Sequence, residues 1–299
     1  MRSSSCSPSS LRPVVLSLPG NENLAAELAS RLTSEYAEIE IHRFPDGESL
    51  VRIGCDVTDR TGVLVCSLDR PDAKLLPLVF AADLLRDLGA KKVGLVSPYL
   101  GYMRQDKRFR PGEAITSRSF ARVLSASVDW LVTVDPHLHR FTHLDELYPV
   151  PAVAVQAAPA VAAWIEANVE KPLVIGPDEE SEQWVRAVAE SAAAPHVILE
   201  KVRHGDRDVE VSIPSVAQWR DRVPVLVDDI VSTAHTMIET LEHLKYAGLA
   251  PGVCIAVHAI FAAGALEGLR EAGAAEVVSG NTISHTTNQI DLSALIAEG

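Results

Sequence analysis

Short apolar, β-branched runs alternate with longer segments of helical period along nearly the whole chain. In the first half, "VVLSL" (14–18), "EIEIHRF" (38–44), "VLVCSL" (63–68), "KVGLVSP" (92–98) and "WLVTVD" (130–135) have the length and composition of strands. Between the third and fourth of these, "KLLPLVFAADLLRDLG" (74–89) reads as an amphipathic helix closed by a glycine C-cap at Gly89. From residue 150 the rhythm starts again, with strands expected at "AVAV", "PLVIGPD", "HVILEKV", "VEVSI", "VPVLVDD", "GVCIAVHAI" and "AEVVSG". Helices are expected near 156–168, 181–193, 234–247 and 263–272.

Alternation of this kind predicts an α/β protein whose mainly parallel sheets are covered by helices on both faces. The Pro-flanked "LYPVPAV" (147–153) is the expected boundary. It gives a Ser/Pro-rich disordered tail over 1–12, an N-terminal domain over 13–149 and a C-terminal domain over 150–299. The two halves share one rhythm, as two copies of one fold would. In such sheets ligands bind beyond the carboxyl ends of the strands, so the polar residues just after each strand carry the most information.

Composition narrows the class. The 299 residues are 47% hydrophobic and 22% charged, as in a globular protein with sizeable cores, and the net charge is −13. An acidic chain lacks the basic footprint of a nucleic-acid or anionic-membrane binder, so neither partner is expected. Cys6, Cys55, Cys66 and Cys254 are scattered without metal-binding spacing, and the last three read as buried, reduced thiols. "MRSSSCSPSS" has no apolar core of a secretory signal, and no segment is apolar for long enough to span a bilayer, so a cytoplasmic location is expected.

The richest strand end is "DDIVSTAHT" (228–236), which opens a helix. A loop entering a helix N-terminus offers unpaired N–H groups and a positive dipole end, a natural phosphate seat. Ser232, Thr233 and Thr236 add hydroxyl donors, while Asp228 and Asp229 can accept from vicinal sugar hydroxyls. A helix cap would explain Asp229 or Ser232 alone, but not the acid pair.

This strand, acid pair and Thr-containing turn resemble the phosphoribosyl-diphosphate loop of type I phosphoribosyltransferases and their relatives. Further segments resemble the ribose-phosphate diphosphokinase family in that family's order, from about residue 14 to residue 282. They are "RFPDGESLVRI" (43–53), "SPYLGYMRQDKRF" (97–109), "GEAITSRSFARVL" (112–124), "TVDPHLHRF" (133–141) and "LEKVRHGDRDVEV" (199–211), the last closer to the shorter archaeal-type branch. The resemblance implies two type I phosphoribosyltransferase-like domains, ATP on the N-terminal side and ribose 5-phosphate on the C-terminal side. It implies Mg-dependent diphosphoryl transfer from ATP to ribose 5-phosphate, and a homo-oligomer with the ATP site at a subunit interface.

Residue by residue, the resemblance implies ATP contacts from Phe44, Asp46, Glu48, Arg104, Gln105 and Asp106. It implies Mg²⁺ at Asp135 and His137, with His139 outside the ligand set, and catalytic roles for Lys201 and Arg203. Ribose 5-phosphate would be held by Asp178, Asp228, Asp229, Ser232, Thr233, Ala234, His235 and Thr236. Two departures stand out. Ser232 replaces an acid and His235 a glycine of the common family loop, and Glu179, Glu180 and Glu182 follow Asp178 where the family has small, Gly-rich residues. A non-catalytic regulatory paralogue, or a phosphoribosyltransferase, therefore stays open beside the diphosphokinase reading.

Overall fold

The computed structural model describes residues 12–138, 140–176, 181–204, 208–212 and 216–299; through 200–204, 208–212 and 216–217 it describes the backbone. All but Arg12 of the expected N-terminal tail lies outside the described residues. The chain divides into two compact units, Met1–Val155 with Ser293–Gly299, and Gln156–Leu292.

In the first unit the order is β1 (Val14–Ser17), α1 (Glu22–Arg31), β2 (Glu35–Arg43), β3 (Ser49–Ile53), β4 (Thr61–Val65) and α2 (Pro71–Asp87). It continues with β5 (Lys92–Ser97), α3 (Thr116–Ser127), β6 (Trp130–Val134) and β7 (Ala152–Val155). The seven strands form one sheet in the order β3-β2-β1-β4-β5-β6-β7, parallel except for the β2–β3 hairpin. β7 is the "AVAV" run expected to open the second half; it pairs instead with β6.

A row of leucines runs across this sheet in register. Leu16 faces Leu64, Leu64 faces Leu95 and Leu95 faces Leu131, all of them essentially inaccessible. They join one core with Leu78 and Leu85 of α2 and Phe120 and Leu124 of α3. Each such side chain contributes about 1.5–3 kcal/mol by burial, so this layer is what fixes the strand ends that bear the candidate site. α2 starts at Pro71, three residues before its apolar pattern, because proline is pre-organised for a first helical turn. It stops before Gly89, whose φ of 90° only glycine adopts without strain.

The second unit runs α4 (Ala158–Asn168), β8 (Pro172–Gly176), α5 (Glu182–Ser191), β9 (His196–Ile198), β10 (Glu200–His204) and β11 (Asp208–Ser212). Then follow β12 (Val223–Val231), α6 (His235–Tyr246), β13 (Gly252–Ala259), α7 (Ala265–Ala272), β14 (Ala274–Gly280) and β15 (Asn288–Ile290). The last helix, α8 (Ser293–Glu298), belongs with the first unit, where Arg31 of α1 donates to Ser293 Oγ at 2.8 Å.

Six strands form a parallel sheet in the order β15-β14-β13-β12-β8-β9, and β10 and β11 form a separate antiparallel pair. Its core again rests on a registered row, Ile175–Leu226–Cys254–Val277, packed with Met237, Leu241 and Leu244 of α6 and Leu269 of α7. The "HVILEKV" run expected as one strand is split. Leu199 is fully buried between β9 and β10, and the chain leaves the large sheet there.

Burial accounts for three of the cysteines. Cys66 and Cys254 pack as hydrophobes whose thiols are pushed up to about 12, and burial, the largest cause, also raises that of half-buried Cys55. Among the described residues no helix is long and apolar enough to cross a membrane.

Candidate active site

In the second unit the acid pair stands where β12 outruns one neighbour. Pairing to β8 covers Val223↔Pro172 to Leu226↔Ile175, whereas pairing to β13 continues to Val231↔Ala259. Val225 to Val227 are buried, and Asp228 and Asp229 emerge half-buried at the carboxyl end. Asp228 Oδ1 accepts the Asp229 N–H at 3.0 Å, and Asp229 Oδ1 accepts the Ile230 N–H at 2.7 Å. These bonds orient both carboxylates. The loop after β13 braces the turn, since Ile260 N–H donates to Val231 O at 3.1 Å and Ala262 N–H to Ser232 O at 3.0 Å.

The turn into α6 carries a backbone feature invisible in the residue pattern. Ala234 adopts φ 60° and ψ 9°, the left-handed region, is buried, and caps α6 without a side-chain hydrogen bond. His235 is therefore an ordinary first helical residue, and the positive φ falls one residue earlier. The His235 ring is exposed, with Nε2 3.0 Å from Glu239 Oε1 one turn on. Thr233 is exposed, and Ser232 and Thr236 are half-buried; the Thr236 carbonyl accepts from Thr240 Oγ1 at 2.8 Å. Asp178, Glu179 and Glu180 lie outside the described residues, and Glu182 is engaged by Arg186 at 3.0 Å within α5. Lys201 and Arg203 occupy alternate positions of β10, opposite Val211 and Val209 of β11, and their side chains lie outside what is described.

In the first unit three polar segments sit at the carboxyl edge of the parallel strands. Phe44–Glu48 is the turn of the β2–β3 hairpin. Gly47 N–H donates to Phe44 O at 2.9 Å, and Phe44 N–H to Glu48 O at 2.8 Å. Pro45 suits the second position of this turn, and Gly47 supplies the φ of 95° that lets the strands rejoin. Asp46 Oδ1 accepts the Glu48 N–H at 3.2 Å, and Phe44 remains 41% exposed with its ring edge against His42 at 4.7 Å. An aromatic that large left open at a rigid turn is suited to stacking on a planar ligand.

Arg104, Gln105 and Asp106 follow β5. Arg104 is exposed and Gln105 half-buried, but the Asp106 carboxylate is only 8% exposed and faces Arg140 Nε at 3.5 Å. Asp135 follows β6 with a φ of 32°, its N–H bonded to Val155 O at 2.9 Å, and His137 is half-buried two residues later. A non-glycine residue held at positive φ at a strand end is a strained position of the kind that clusters at functional sites. His139 lies outside the described residues. β5 and β6 are neighbours, so the second and third segments share one end of the sheet. β2 is three strands from β5, roughly 14 Å at about 4.8 Å per strand.

Among the described residues no three His, Cys, Asp or Glu side chains gather to hold a metal ion. One carboxylate and one imidazole, at Asp135 and His137, suit a divalent cation that keeps most of its water and is shared with phosphate oxygens. Arg140 and the left-handed Ala234 escape a sequence reading. Arg140 lies inside the "TVDPHLHRF" segment, but the resemblance gives it no role, and a lone alanine carries no turn signal.

Residues 13–127 match the family described as the N-terminal domain of ribose phosphate pyrophosphokinase, and residues 143–294 match the phosphoribosyl transferase domain family. The chain is 32% identical over 290 residues to the ribose-phosphate pyrophosphokinase of Methanobrevibacter smithii, covering 93% of this chain and 96% of that protein. It is 34% identical over 288 residues to that of Methanopyrus kandleri, covering 95% and 97%. The phosphoribosylpyrophosphate synthetase of Mycobacterium smegmatis has a similar fold, with a TM-score of 0.81 at 23% identity over 96% of this chain and 97% of that one.

Proposed function

The chain belongs to the ribose-phosphate pyrophosphokinase family, and we propose that it transfers the β,γ-diphosphoryl group of ATP to the 1-hydroxyl of ribose 5-phosphate, giving phosphoribosyl pyrophosphate and AMP. The observation that carries this reading is the half-buried Asp228–Asp229 pair leading directly into the N-terminus of α6. In this reading the two carboxylates accept from the sugar hydroxyls, and the N–H groups of the α6 entry, with Ser232, Thr233 and Thr236, receive the 5-phosphate. Ala234 supplies backbone only. His235, engaged with Glu239, stands at the rim of the phosphate seat. Asp178, two residues in sequence after β8, is assigned to the sugar side by the resemblance.

On the nucleotide side, Phe44 stacks on the adenine with Asp46 and Glu48 beside it, while Arg104 and Gln105 bind along the phosphates and Asp106 belongs to the same turn. In this reading the nucleotide site is completed by the Phe44 turn of a second copy, in a homo-oligomer, as the resemblance to the family implies. Asp135 and His137 would hold Mg²⁺, which when bound neutralises charge on phosphate oxygens. We read the protein as cytoplasmic, with neither nucleic acid nor membrane as a partner.

In the reaction the sugar O1–Pβ bond forms as the bond from Pβ to the α,β-bridging oxygen breaks. AMP leaves with that oxygen, and the hydroxyl proton passes to solvent. Such a transfer needs in-line positioning and charge neutralisation more than covalent help. Lys201 and Arg203 neutralise the bridging oxygen as it gains charge. The sugar assignment is tested by Asp228→Asn and Asp229→Asn in steady-state assays. Each is expected to raise the KM for ribose 5-phosphate by the loss of a charged acceptor, about 1.5–3 kcal/mol, with the KM for ATP little changed. A change confined to the ATP constant would sink it.

A further inference from the structure

We infer that Asp106 and Arg140 form a latch that holds the Arg104–Gln105 turn in its nucleotide-binding position, so that Arg140 is a positioning residue of this enzyme. The inference rests on the ATP role of that turn proposed above, but the latch itself is a matter of geometry. The Asp106 side chain is 8% exposed, and Arg140 Nε lies 3.5 Å from its Oδ1. A carboxylate withdrawn that far from water needs a cation beside it.

The two cations that follow Asp106 in sequence are committed elsewhere, and Arg104, two residues before it, is exposed. Lys107 Nζ lies 4.8 Å from the centre of the Phe109 ring, and Arg108 Nε donates to the Glu113 carbonyl at 2.8 Å. Asp106 therefore pairs across the sheet end, from the loop after β5 to the loop after β6, five residues beyond Asp135. The other ties of the turn are thin. Gln105 N–H donates to Tyr102 O at 3.2 Å, and Ser117 N–H to Gln105 O at 3.4 Å. Tyr102, upstream, is itself held at φ 64° with its hydroxyl bonded to Asp72.

The Asp106–Arg140 contact at 3.5 Å is an ion pair rather than a short hydrogen bond, and it adds to these two backbone bonds a tie made by a buried charge. Without Arg140 the Asp106 carboxylate would sit buried and uncompensated, and hydrating it requires the turn to open. Arg104 and Gln105 would then lose their register toward a triphosphate, while the sugar-side residues of the other unit keep theirs. The interaction joins the two segments expected to serve ATP and its cation, and the resemblance assigns no role to Arg140, which lies within the second of them.

The test uses the full-length protein with Arg140→Met, Arg140→Lys, Asp106→Asn and the Asp106→Asn/Arg140→Met double variant. Limited trypsin digestion reads the latch without any assumption about activity, because Arg104, Lys107 and Arg108 place cleavage sites in this loop. Arg140→Met is expected to speed cleavage after Arg104, Lys107 and Arg108 about tenfold, with Arg140→Lys close to wild type. In kinetics Arg140→Met is expected to raise the KM for ATP about tenfold, with kcat and the KM for ribose 5-phosphate changed less than about threefold.

If Arg140 acts through Asp106, the double variant is no worse than Arg140→Met alone. Unchanged cleavage in Arg140→Met overturns the latch whatever the enzyme does. Kinetic effects of the two single variants that multiply in the double variant overturn it as well, since Arg140 would then act by itself. A wild type that forms no AMP from ATP overturns the functional reading instead, and the digestion result still decides the latch.

Discussion

Ala234 shows how much one backbone angle demands of one residue. Its left-handed conformation costs an alanine about 1–2 kcal/mol, yet its methyl is buried in the core of the second unit, worth about 0.8 kcal/mol, and glycine there would cost about 0.5–1 kcal/mol more in chain entropy. These terms nearly cancel. Ala234→Gly is therefore expected to change unfolding stability by less than about 1 kcal/mol. Ala234→Val, β-branched at positive φ, is expected to lose about 2 kcal/mol or more, as urea unfolding of both variants would show. Equal losses in the two would mean that the angle is not what the site selects. The sequence shows the hydroxyls and acids of this turn plainly, but a backbone angle set by the fit of α6 onto β12 leaves no mark on a lone alanine.

His285 offers a second test at this scale. Its Nδ1 accepts the Thr287 N–H at 3.3 Å, its ring lies 5.1 Å from that of Phe261, and burial lowers its pKa from the ordinary 6.5. The folded state thus resists a proton that the unfolded chain accepts. The stability this gives is whole above about pH 6.5, declines below it, and is lost by the pH at which the folded ring protonates. His285→Gln is expected to flatten the fall in urea midpoint between pH 7.5 and 5.5; parallel curves for wild type and variant would contradict it.

Among the elements, β5 and β6 matter most, since both lead into candidate nucleotide residues. Gly94 of β5 faces Trp130 of β6 in register, and a Cβ on Gly94 would lie 1.9 Å from Trp130 Cζ2. No small adjustment accommodates a methyl there. Gly94→Ala is expected to destabilise by at least about 1–3 kcal/mol, measured as thermal or urea unfolding, and Gly94→Ala/Trp130→Leu to recover much of the loss. A neutral single variant would refute this packing account. Most of the parallel strands were legible because they are short apolar runs ended by polar residues; β15, "NQI" (288–290), carries no such run and was not expected. The β2–β3 hairpin was not, because "FPDGE" reads as a binding segment and the strand after it alternates Leu50, Val51 and Arg52 without a clear buried face. The break at Leu199 was hidden because the apolar "VIL" and the "EKV" that follows both suit a strand, and only the change of sheet divides them.

For the molecule as a whole, the repeated rhythm of the sequence corresponds to two mainly parallel α/β sheets. The return of α8 to the first unit, by contrast, depends on contacts such as Arg31–Ser293 between residues 262 positions apart, and no local pattern announces it. The candidate residues with described side chains stand at strand ends or in the loops that follow them, where α/β sheets collect ligands; the role of Arg140, in the loop after β6, is revealed by its tertiary pairing with Asp106.

The central claim is the transfer of a diphosphoryl group, and product identity tests it most directly. ATP, ribose 5-phosphate and Mg²⁺ incubated with the enzyme and followed by ³¹P NMR are expected to give AMP and phosphoribosyl pyrophosphate in equal amounts. With Lys201→Ala the same products should appear at a rate lowered by several kcal/mol of barrier, roughly 100-fold or more, with ATP affinity largely kept. Formation of ADP with a singly phosphorylated product, or no AMP from wild-type enzyme that binds both substrates, would contradict the account.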